Sequence, residues 1–124
     1  MEVKSMADYV KVFNTDKYAD VCFYIDHEKP FAIGEKMNEI CEEAYMNGYN
    51  WEAFFNCYLK KNAPELLEGL GTDPEADMYA AYYDLSPENE IKGQKFGEII
   101  TRLIENEEEL YSFVREHGDK IEWD

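Results

Sequence analysis

The sequence predicts an α+β fold in which a small antiparallel sheet, an N-terminal hairpin plus a third strand near 77–83, carries helices packed mainly on one face. Three observations predict it. Residues 18–25 alternate between apolar and mixed positions, later segments repeat apolar residues at three- and four-residue steps, and an aromatic run follows a turn at 72–77.

Tyr9 to Phe13 and Tyr18 to Ile25 are rich in β-branched and aromatic residues, with Asn14, Thr15 and Asp16 between them as turn formers, so the two runs read as a hairpin. In the second run Ala19, Val21, Phe23 and Ile25 share one face, while Tyr18, Asp20, Cys22 and Tyr24 share the other. After a break at His27-Glu28-Lys29-Pro30, the stripe Ile33, Met37, Ile40, Cys41, Ala44 and Tyr45 predicts an amphipathic helix that stops at Gly48. Asn50 then caps a second helix with Trp51, Phe54, Phe55, Tyr58 and Leu59 on its apolar side and Lys60 and Lys61 at its end, where cations suit the helix dipole.

Pro64 opens a short helical turn through Leu67, closed by Gly69 and Gly71. The turn Thr72 to Asp77 leads into Met78-Tyr79-Ala80-Ala81-Tyr82-Tyr83, whose aromatics favour a strand paired with the hairpin. Ser86-Pro87 supplies a cap and a proline at the first helical position for a stripe of Ile91, Phe96, Ile99, Ile100, Leu103 and Ile104. Asn106 with Glu109 has the spacing of a capping box for a last helix holding Leu110, Phe113 and Val114 and ending near Gly118. The expected order is β-β-α-α-β-α-α with an acidic tail. At 124 residues one core is affordable and two ordinary domains are not, so 1–124 reads as a single domain.

Charge narrows the function classes. Lys and Arg total 12 against 28 Asp and Glu, a net charge of -16 that repels nucleic acid and anionic membrane and favours a basic partner. The blander account, that surplus acid keeps the chain soluble, explains the charge equally well. Met1 to Phe13 lacks a basic segment followed by an apolar one, and no stretch approaches the ~20 apolar residues of a membrane helix, so a cytoplasmic location is expected. Cys22, Cys41 and Cys57 have no CxxC spacing and read as core thiols.

Catalytic signals are weak. His27 and His117 read as ordinary exposed histidines, no phosphate loop, HExxH or GxSxG is present, and Ser86 is explained as a cap. Asp73, Glu75 and Asp77 alternate as in the start of a calcium loop, but Met78 stands where that motif needs glycine and Asp84 where it needs glutamate. No enzyme activity, cofactor or metal is therefore expected. Ten Tyr and seven Phe exceed what a core of this size readily hides, so some should face outward as interface anchors; the helical spacing of Trp51, Phe54, Phe55 and Tyr58 argues instead for burial of that set.

Two segments, Gly48-Tyr49-Asn50-Trp51-Glu52 and Asp73-Pro74-Glu75-Ala76-Asp77-Met78-Tyr79-Ala80-Ala81-Tyr82, resemble the bacterial Immunity protein 51 family of polymorphic toxin systems. Tyr58-Leu59 and Pro64-Glu65-Leu66 fall between them in the same order. Asn50 stands where the family pattern has Asp, Asp77 where it has Gly and Tyr79 where it has Phe; only Asp77 alters the local backbone options. The resemblance implies a protein that binds and neutralises a cognate toxin domain. Trp51, Glu52, Asp73, Glu75, Asp77 and Tyr79 are the expected partner-binding residues, the aromatics filling pockets and the carboxylates pairing with Lys or Arg. The alternatives are an acidic adaptor or nucleic-acid-charge mimic for another basic protein, and a carboxylate- and metal-dependent hydrolase.

Overall fold

The computed structural model describes residues 3–123, with side chains from residue 7 onward. Among these residues the strands are β1 (Val3–Ala7), β2 (Val10–Asn14), β3 (Tyr18–Tyr24), β4 (Gly71–Thr72) and β5 (Met78–Asp84). They form one antiparallel sheet in the order β1-β2-β3-β5-β4. The helices are α1 (Glu28–Ile40), α2 (Gly48–Asn62), α3 (Pro87–Glu105) and α4 (Glu107–His117), with a short 3-10 turn at Pro64–Leu67. The α+β sheet with helices on one face is as the sequence predicts, and β5 pairs with β3 as expected. Two short edge strands were not foreseen: β1 has little apolar alternation to mark it, and β4 is only two residues long.

Alternation decides which face is covered. Val10 and Val12 of β2, Ala19, Val21 and Phe23 of β3, and Tyr79, Ala81 and Tyr83 of β5 are all buried, because successive side chains of a strand point to opposite faces. Helix α3 crosses this face at Gly93, where an added Cβ would lie 3.7 Å from Val21 and 3.8 Å from Ala19. Its stripe Phe96, Ile100, Leu103 and Ile104 is fully buried, whereas Ile91, predicted in the same stripe, is 56% exposed near the helix start. Phe23 ties the sheet to the aromatic core, meeting Trp51 edge-on at 4.9 Å and also touching Phe55 and Tyr9, while Phe55 is the hub, in contact with Phe23, Trp51, Phe54, Tyr79 and Phe96. At the far end of the core, the Tyr83 hydroxyl donates to the Leu66 carbonyl at 2.5 Å.

Several local expectations need correction. Helix α1 ends at Ile40, so Ala44 and Tyr45 lie beyond it; Ala44 is nonetheless buried, and Tyr45 is exposed. Its Pro30 sits in the first turn, where the missing N–H costs nothing. Gly48 does not stop a helix but begins α2, and the cap is Asn47, whose side chain accepts from the Asn50 N–H at 2.9 Å. Asn50 lies one turn in and is buried, accepting from the Met46 N–H at 2.9 Å. The two asparagine side chains thus satisfy two backbone donors, of Asn50 and of Met46, and Met46 sits at a φ of 56°, a conformation non-glycine residues rarely adopt.

The capping box at Asn106 and Glu109 does not form, since the Asn106 side chain makes no cap bond. Glu109 is drawn instead to the Tyr58 hydroxyl at 2.6 Å and to Arg102 at 3.2 Å, and burial together with that carboxylate pushes the Tyr58 phenol up to about 12. Of the cysteines, Cys22 is buried, while Cys41 and Cys57 are only half-buried. His117 is half-buried rather than exposed, its ring 4.6 Å from that of Phe113 and its Nδ1 covered without a hydrogen bond.

Candidate functional site

The two segments singled out by their residues meet in space at one corner of the fold, where the start of α2 docks on the loop between β4 and β5. The Gly48 N–H donates to the Ala76 carbonyl at 3.3 Å. A Cβ at residue 48 would collide with the carbonyl oxygens of Glu75 and Met78, so glycine is required here by close approach of two backbones. The loop turns its other backbone groups inward as well. Asp73 N–H donates to Ala80 at 2.8 Å, Glu75 N–H to Met78 at 2.7 Å, and the Asp77 carbonyl accepts from Ile25 at 3.2 Å. Glu52, half-buried on the first turns of α2, accepts from the Thr72 hydroxyl and ties the helix to β4.

With the backbone so engaged, the side chains of Asp73, Glu75 and Asp77 are left exposed. Three expected carboxylates therefore share one loop on the surface, with Glu52 behind them. The two aromatics of the expected set behave differently. Trp51 is 1% exposed and Tyr79 is 0% exposed, so neither side chain is available to a partner. Trp51 stacks on Phe55 at 5.5 Å, and Tyr79 faces Phe55 at 5.0 Å, which makes both parts of the core that rigidly presents the corner. Burial raises the Tyr79 phenol well above its usual value, with the nearby Glu52 charge adding to the effect.

Beside this corner, the outer side of α2 forms an open groove of about 730 Å³ whose lining includes Tyr49, Glu52, Asn56, Cys57, Lys61 and Lys120. Lys60 borders it too, so three of the chain's few cations gather here. Burial pushes the Cys57 thiol up, and Lys61, Lys60 and Lys120 pull it back. The sequence marked Lys60 and Lys61 only as helix-end cations; nothing along the chain places Lys120 next to them. Among the described residues, no helix is long and apolar enough to cross a membrane, and no three His, Cys, Asp or Glu side chains converge as metal ligands.

The Immunity protein 51 family model matches residues 10–119, most of the chain and both motif segments. The chain belongs to the Immunity protein 51 family. No curated protein and no solved structure matches it. For this Immunity protein 51 chain the match begins at β2 and runs through α4, so the contact between Gly48 and the 73–77 loop lies inside the family's own extent. The two segments come together where the side-chain-free Gly48 lets its N–H reach the Ala76 carbonyl of a loop whose other backbone groups are already engaged.

Proposed function

We propose that this chain is an immunity protein that binds a cognate toxin domain in the cytoplasm and neutralises it by masking the toxin's active or substrate-binding surface. Membership of an immunity-protein family carries the reading. The exposed carboxylates of Asp73, Glu75 and Asp77, with Glu52 beside them, form an acidic corner for Lys or Arg on a basic toxin. Trp51 and Tyr79 contribute by packing beneath that corner.

Magnitudes decide how the corner should be tested. A single exposed ion pair contributes about 0.2–1 kcal/mol, so one substitution is too small a probe. Reversing Asp73, Glu75 and Asp77 together to Lys should slow association with the purified cognate toxin domain and reduce the salt dependence of its affinity. Co-expression of the wild-type chain should rescue cells from the toxin. Affinity that survives the triple reversal removes the electrostatic part of the reading, and a toxin that is neither bound nor neutralised removes the whole of it.

A further inference from the structure

The sheet's second face is uncovered by any described helix, and its composition is unusual for a solvated surface. Strand alternation places Tyr18, Asp20, Cys22 and Tyr24 of β3 on it. Across the sheet Asp20 lies opposite Phe13 of β2 and Tyr82 of β5. The Tyr82 ring lies over Gly71, where a side chain on β4 would collide with it, and meets Tyr18 edge-on at 5.1 Å. Tyr18 is 38% exposed, and Phe13 and Tyr82 are half-buried, so the three rings wall a partly open site with Asp20 at its centre.

Among the described residues nothing satisfies Asp20. Its Oδ2 is covered and takes no hydrogen bond from them, and burial raises its carboxyl from the ordinary value. Lys11, on the same face, is not ion-paired with it; its ammonium lies 5.6 Å from the centre of the Tyr24 ring. That contact shows the face already seating a cation on an aromatic ring. A carboxylate held unpaired among rings is a poor device for stabilising the free protein and a good one for receiving a cation from outside.

We infer that this open sheet face, centred on Asp20 and walled by Phe13, Tyr18 and Tyr82, is a docking surface for an arginine-bearing patch of the toxin. The inference rests on the immunity reading and gives the interface an aromatic centre around Asp20; the 73–77 loop that carries the exposed carboxylates leads directly into β5, the strand that contributes Tyr82. Arginine fits better than lysine, because its planar guanidinium pairs with a carboxylate and stacks on aromatic rings at once. A second copy of this chain fits poorly, since it would bring another surface of a -16 protein against Asp20.

The test is titration calorimetry of the purified toxin domain against the wild type, Asp20→Asn, Tyr18→Ser and, as a control on the exposed side of α3, Glu98→Gln. Asp20→Asn should weaken binding about tenfold or more, Tyr18→Ser should weaken it measurably, and Glu98→Gln should leave it unchanged. Urea midpoints for the two face variants at or near the wild-type value would show that the loss is not unfolding. Wild-type binding with both face variants binding equally well overturns this inference and leaves the immunity reading standing; absence of wild-type binding overturns both. Sedimentation showing a dimer that Asp20→Asn dissolves would make the face a self-association surface and overturn the toxin assignment.

Discussion

The two faces of the sheet are built from the same strands yet obey opposite rules. On the helix-covered face, Val21, Phe23, Tyr79 and Tyr83 are fully buried, and Phe23 alone contacts three other rings. On the open face, Tyr18, Tyr24 and Tyr82 keep part of their surface in water, and a carboxylate stands among them without a partner. The first face is optimised for folding. The second carries groups that folding alone does not use, and that contrast is what the proposed docking surface rests on.

Substitutions should sharpen that contrast. Phe23→Ala removes a fully buried ring that joins the sheet to the aromatic core and should cost about 3–5 kcal/mol, read as a large fall in urea midpoint by tryptophan fluorescence. Tyr18→Ser on the open face should change the midpoint by no more than about 1 kcal/mol. Equal losses at the two sites would erase the distinction between the faces.

The corner at α2 belongs to the folding side of the comparison in its backbone, while its carboxylates stand exposed like the groups of the open face. Gly48→Ala drives a methyl into two carbonyl oxygens that are themselves fixed by the 73–77 loop, and it should cost on the order of 3 kcal/mol. Asn50→Ala leaves the Met46 N–H without its buried acceptor and should cost about 1–2 kcal/mol. A wild-type midpoint for Gly48→Ala would mean that the loop yields easily, and the carboxylates would then lack a rigid mount.

Much of the fold is legible along the chain because period and burial agree. The alternation in β3, the stripe of α3 from Phe96 onward and the helical spacing of Trp51, Phe54, Phe55 and Tyr58 each mark a face that is in fact buried. The start of α2 was less legible, since Asn47, Gly48 and Asn50 each have a residue type that suits more than one end of a helix. What decides between them is the approach of Gly48 to Glu75 and Met78, a contact between distant parts of the chain. The same limit applies to the candidate site. Exposed Asp73, Glu75 and Asp77 can be picked out locally, but Trp51 stands in the expected binding set although its helical spacing points inward, and Tyr79 lies in an aromatic strand whose buried face the sequence alone does not choose. Asp20 carried one signal, a charge within an aromatic alternation, whose meaning depended on neighbours from β2 and β5.

The smallest effect discriminates most finely between the faces. Burial raises the Asp20 carboxyl, so the folded chain holds that proton more tightly than the unfolded chain does. Between the ordinary carboxylate range and the raised value, the unfolded state therefore binds fewer protons, and Asp20 makes the protein less stable as pH rises through that window. Glu105 acts in the opposite sense: the Tyr9 hydroxyl and then Lys29 lower it, so its contribution is present above the carboxylate range and is lost as pH falls. Asp20→Asn removes the first dependence and leaves the second. An amide's own cost of burial does not vary with pH, so the decisive quantity is the slope and not the offset: relative to wild type, the variant should gain stability steadily from acid to neutral pH in urea melts. Parallel curves would mean that the Asp20 charge is already compensated in the free protein, and the open face would lose its claim to hold an unsatisfied group in reserve for a partner.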